Sequence, residues 1–215
     1  MGNFGHHLTG SVIAGGACGF AAAMVFHAPL FDAAACALLC GFGGILPDVD
    51  SPMSRPTEMV VSTSSVLAPV FALQALGEYK LTTSEIFLVA IFSYIFARYG
   101  VRQFIKRTTV HRGIIHSIPM AFIWGAVVFL VYHRAPALIQ NVTAASATIG
   151  FITHLVIDEM FSLVDINGGR FMPKRSFGTA LKFFSNSIIA NLIIYGCLAL
   201  LLYWCGMESG MLRKM

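Results

Sequence analysis

Apolar residues in this chain run in long blocks, separated by short polar clusters. The blocks are too long and too continuous for the period-two alternation of half-buried strands. A helix needs about 20 mainly apolar residues to cross the hydrocarbon core of a bilayer. Blocks near that length lie at 8–27, 29–47, 60–77, 84–102, 114–133, 144–163 and 187–206. The second carries Asp32 near its start, and the third is the weakest, rich in Ser and Thr and interrupted by Pro69. The pattern predicts an all-α fold, a polytopic transmembrane helical bundle of about seven spans, or five to six if weak blocks do not cross. No repeat, low-complexity tract or linker divides the chain, so residues 1–215 read as a single membrane-embedded helical domain. Gly15, Gly16 and Gly19 in the first block, and Gly41, Gly43 and Gly44 in the second, permit close helix approach in lipid.

Composition changes the picture by excluding a soluble protein. Hydrophobic residues make up 57% of the chain and charged residues 11%, against about 25% charged in an average soluble domain. Mean hydropathy is +0.76. A water-facing surface cannot be built from so few polar groups, so the solvent is lipid. The five cysteines, Cys18, Cys36, Cys40, Cys197 and Cys205, all fall inside apolar blocks. Their odd number argues against a complete disulfide framework, and they read as small buried hydrophobes. No basic stretch of the kind a cleavable signal needs precedes the first block.

Charge gives an expected orientation. With seven spans, Arg55, Arg102, Lys106, Arg107, Arg112, Arg170, Lys174, Arg175 and Lys182 fall on the side of the N-terminus, with Arg98 near it. Lys80, Arg134, Arg213 and Lys214 fall on the other. An excess of Lys and Arg marks the cytoplasmic side, so the N-terminus is expected inside and the C-terminus outside.

Imidazoles and carboxylates near membrane helices are costly and therefore point to function. Four groups stand out: His6-His7 before the first block, Leu46-Pro47-Asp48-Val49-Asp50 closing the second, His111-Arg112-Gly113-Ile114-Ile115-His116-Ser117 opening the fifth, and His154 with Asp158 in the sixth. His154 and Asp158 are four apart and share a helical face. Asp48 and Asp50, bracketed by Pro47 and Pro52, predict an extended turn that presents both carboxylates on one side. His111 and His116 do not share a helical face, but a loop ending in a helix start near Gly113 can bring them together. Under the seven-span topology these groups converge on one rim, whereas His27 and His133 fall on the other and read as interfacial or capping residues. One of His6 and His7 is expected to be a ligand. Nitrogen and carboxylate donors without thiolates suit zinc, with manganese or iron as alternatives, and their number suits more than one ion. Glu159 and Asp165 are nearby and read as supporting or surface groups.

At these residues the chain resembles the YdjM-like bacterial inner-membrane metal-dependent hydrolases. The matching features are Gly5-His6, Leu46-Pro47-Asp48-Val49-Asp50, His111-Arg112-Gly113 followed by His116-Ser117, and Gly150 with His154 and Asp158, in the family's order over roughly residues 1–175. A more distant likeness is to zinc-dependent phospholipase C and P1-type nucleases, which also gather His and Asp on helices. The resemblance implies a multi-span helical fold in the bacterial inner membrane and a hydrolase. Two positions depart from the family pattern: Ile115 stands where Thr is usual, and Glu159-Met160-Phe161-Ser162 replaces a Thr-Pro-x-Gly turn.

The expected activity is metal-dependent hydrolysis of a phosphoester, small-molecule or lipid with a membrane lipid favoured, at the cytoplasmic face. His6, His7, Asp48, Asp50, His111, His116, His154 and Asp158 are the expected metal ligands. Asp50 or His116 would act on protons, and Arg112 would neutralise the phosphate. No nucleic-acid partner is expected. The alternative is a non-enzymatic membrane protein, either a metal transporter or a scaffold with a structural metal site. Ligands at one rim and the lack of related halves disfavour the transporter.

Overall fold

A computed structural model of the protein describes residues 4–50, 55–76, 79–103, 116–165, 170–171, 181–185 and 187–210. The described chain is helical, as the apolar blocks predict. In order come α1 (Phe4–Met24), α2 (Leu30–Gly43), a 3-10 turn (Leu46–Asp50), α3 (Arg55–Ala75), α4 (Thr83–Phe96), α5 (Ile118–Val131), α6 (Ala137–Leu163) and α7 (Ile188–Glu208). α4 continues into a π-helical turn over Ala97–Val101. Two-residue strands β1 (Val164–Asp165) and β2 (Arg170–Phe171) pair antiparallel, Val164 opposite Phe171 and Asp165 opposite Arg170.

Five helical stretches are long and apolar enough to cross a membrane: Phe4–Met24, Leu30–Asp48, Thr83–Val101, Ala137–Ser162 and Ile188–Glu208. The fifth block yields the shorter apolar helix α5. The weak third block does form a helix, α3, with Pro69 inside it. Ser64 and Ser65 there donate to the carbonyls of Val60 and Val61, so their hydroxyls are satisfied within the helix. α6 begins at Ala137 rather than at 144. Gln140 and Thr143 lower the hydropathy of those first two turns without ending the helix. Gln140 Nε2 donates to Phe129 O at 2.9 Å, and Thr143 Oγ1 to Ile139 O at 2.6 Å. The exposed surface is that of a lipid-solvated protein: none of α7 is buried, and Leu30, Phe31, Phe96 and Ile188 all lie on the outside.

The chain divides into two compact units, residues 1–47 with 113–215, and residues 48–112. In the first, α6 packs against α1, α2 and α5, and α7 packs on α5. Its apolar core includes Ala121, Phe151 and Leu155. Close approach depends on glycine. A Cβ at Gly150 would overlap the backbone carbonyl of Cys40, and one at Gly15 would come within 2.6 Å of Ala37 O. Segment 181–185 is tied to both neighbouring helices. Ile118 N donates to Lys182 O, and Asn191 on α7 bonds the Ser185 backbone in both directions. Burial lowers the affinity of the Lys182 ammonium for its proton. In the second unit α3 packs against α4 and its π-helical turn. α4 opens on a capping box, Thr82 with Glu85.

Candidate metal centre

Helices α1 and α6 and the residues leading into α5 supply a cluster of buried polar side chains in the first unit. His7 lies one turn into α1, His154 and Asp158 lie one turn apart on α6, and His116 precedes Ser117, the N-cap residue of α5. All four are buried: His154 is 0%, His7 2%, Asp158 4% and His116 8% exposed.

Asp158 is the hub. Its Oδ1 lies 3.2 Å from His7 Nε2, and its Oδ2 lies 3.7 Å from His154 Nε2 and 3.9 Å from His116 Nε2. The His7 and His154 rings stack at 3.9 Å, and the His116 ring meets His154 edge-on at 5.5 Å. His154 Nδ1 lies 2.8 Å from Gly44 O. A carbonyl only accepts, so Nδ1 carries a proton, and Nε2 is the ring nitrogen turned toward Asp158. This is the outer support that metal-ligating histidines ordinarily have. Ser11 Oγ donates to His7 O at 2.6 Å, anchoring the turn of α1 that carries His7.

The donors fit a divalent ion. One donor atom each from His7, His154 and Asp158 can be chosen so that all lie within 4.8 Å of one another. Ligand atoms at about 2.0–2.1 Å from a tetrahedral zinc are about 3.3 Å apart, close to the separations around Asp158. His7 Nδ1 is buried with no hydrogen-bond partner among the described residues, so the protein leaves that ring a nitrogen to spare.

His6, next to His7, is exposed and stacks on Phe161 at 4.4 Å. Of the adjacent pair it is His7 that enters the cluster. Asp48 is half-buried in the 3-10 turn and begins the second unit. That turn replaces the extended one expected for Asp48 and Asp50. Pro47 is compatible with the first turn of a helix, where its missing N–H is not needed. The Asp50 side chain, His111 and Arg112 lie outside the described residues. α5 starts at Ile118 with Pro119 in its first turn, so the helix start is not near Gly113. Glu159 is buried and its backbone carbonyl accepts from Ser162 Oγ. Asp165 lies in β1. His27, with φ of 51°, and His133, whose Nδ1 contacts Leu130 O, are exposed and outside the cluster. The Gly44 carbonyl is a site component that the sequence does not reveal, since there Gly44 signals only helix packing. A backbone acceptor has no side-chain signature.

Comparison with known proteins gives one family. No curated protein and no solved structure matches the chain. The family model described as YdjM inner membrane protein matches residues 1–212. With that coverage and the membrane-length helices, this chain is a membrane protein and belongs to the YdjM inner membrane protein family.

Proposed function

We propose that the protein is a metal-dependent hydrolase of the bacterial inner membrane, cleaving a phosphoester at the membrane rim. The observation that carries this reading is the convergence of three imidazoles on one buried carboxylate, with His154 fixed in its ligating tautomer by Gly44 O. His7, His154 and Asp158 would hold a divalent ion, zinc by donor type, with manganese or iron as alternatives. When bound, such an ion supplies Lewis acidity, which lowers the pKa of a bound water toward about 7 and polarises a phosphoryl oxygen. His116 enters from the residues just before α5 and is the most exposed of the four, so its Nε2 is the group suited to accept or deliver a proton. Asp48, Asp50 and His111 are further ligands by motif, enough for a second ion, and Arg112 would pair with the phosphate charge. The distant likeness to zinc-dependent phospholipase C and P1-type nucleases points to the same chemistry. The basic residues support a multi-pass chain with its N-terminus and this rim on the cytoplasmic side.

The test is metal analysis of the detergent-purified protein beside His154→Ala and Asp158→Ala, followed by a phosphoester panel containing phospholipids and nucleotides. The reading expects stoichiometric metal, its loss in both variants, and hydrolysis by the wild type alone. A metal-free wild type would sink it. The near-complete burial of His7, His154 and Asp158 favours a second reading, a closed structural site. Bound metal without cleavage of any phosphoester would establish that one.

A further inference from the structure

α1 and α6, which carry three of the four clustered side chains, pack side by side and leave an open groove of about 460 Å³ between them. Gly10, Ala14 and Ala17 line it from α1, and Ile149, Thr153 and Val156 from α6. Its surface is almost wholly carbon. Even Thr153 contributes a methyl face, because its hydroxyl donates to Ile149 O within its own helix at 2.8 Å.

The groove has a direction. On α1 it starts three residues beyond His7 and runs to Ala17. On α6 it runs from residues beside Asp158 back to Ile149. The two helices therefore run opposite ways along it, and both place the cluster at the same end. A Cβ at Gly10 would overlap Ile157 Cδ1, so the absence of a side chain there lets Ile157 pack against α1. Along α6 the lining runs from Ile149 to Met160, which at about 1.5 Å per residue is about 16 Å. Half of a hydrocarbon core about 30 Å thick is close to that length. A groove that begins at a rim cluster and runs one leaflet deep has the dimensions of an acyl chain, and its lining offers nothing to a polar ligand.

We infer that this groove seats an acyl chain of a phospholipid whose phosphoester lies at the His7–His154–Asp158 cluster. The substrate class is thereby a membrane lipid entering sideways from the bilayer, not a soluble phosphoester. This rests on the hydrolase reading of the cluster for its chemistry, but the seat itself is testable without turnover.

The full-length protein is reconstituted in phosphatidylethanolamine–phosphatidylglycerol vesicles doped with a phosphatidylglycerol bearing a diazirine near the end of one acyl chain. After illumination, adducts are mapped by mass spectrometry. Labelling at Ala17 and Ile149 is expected to exceed that at Leu192 and Trp204, exposed on α7, by severalfold. Ala14→Val and Ala14→Phe should reduce it in that order, about threefold or more for Phe, with bound metal unchanged. Labelling spread evenly over the groove and α7, or insensitive to both Ala14 variants, overturns the inference. Asp158→Ala should lose metal and keep the groove labelling. Labelling with no phosphoester cleavage by the metal-loaded protein leaves the seat standing and removes the hydrolase. Cleavage with even labelling does the reverse.

Discussion

The two units of this protein each hold a helix-borne carboxylate facing a basic partner, in opposite environments. Asp158 is 4% exposed among His7, His116 and His154. Glu58, on α3, pairs with Arg102 just beyond the π-helical turn of α4, and the two side chains are 44% and 39% exposed. An exposed pair gains little, because solvent screens it and two long side chains must be ordered to form it. A buried carboxylate has surrendered its hydration, so the groups around it are obligatory. A carboxylate beside basic groups is a solvated surface pair in one place and part of a buried cluster that could hold a metal ion in the other, and burial is what separates them.

That contrast can be broken by substitution. Asp158→Ala should have the largest effect: metal content below a tenth of wild type, and a loss of about 3–5 kcal/mol in a mild-detergent unfolding titration. Nearly as disruptive structurally, Gly150→Ala should cost about 1–3 kcal/mol, since a Cβ there meets the Cys40 carbonyl and overpacked contacts must shift. It should lower the unfolding midpoint more than it alters metal stoichiometry at low temperature. Ser11→Ala removes the bond to His7 O and should cost about 1 kcal/mol, with metal affinity reduced but not abolished, as titration with a competing chelator would read. Smallest of all, Glu58→Gln should change stability by less than about 1 kcal/mol and leave metal content alone. If Glu58→Gln proved as damaging as Asp158→Ala, exposure would not be the variable that distinguishes the two carboxylates.

Much of this was legible from residue order. The apolar blocks located the helices to within a turn in most cases, because lipid exposure demands continuous apolar stretches. Where the pattern misjudged, polar side chains found backbone acceptors, Thr143 within its own helix and Gln140 at Phe129 O on α5, and α6 extends beyond its apolar window. The 3-10 turn at Leu46–Asp50 was not legible, since Pro47 suits the start of a turn of either kind. For the site, the spacing of His154 and Asp158 set them on one face of one helix, a purely local property.

What sequence by itself determined, then, is the solvent and the local geometry: a chain this poor in charge must lie in lipid, and residues four apart on a helix share a face. The choice of His7 over its neighbour His6 was decided only in three dimensions. Adjacent helical residues point about 100° apart, and the packing of α1 against α6 directs one to Asp158 and the other to Phe161. So too with the Gly44 carbonyl that fixes His154. Its partner is 110 residues away in the chain, a separation that no periodicity records and that close helix packing at glycine closes.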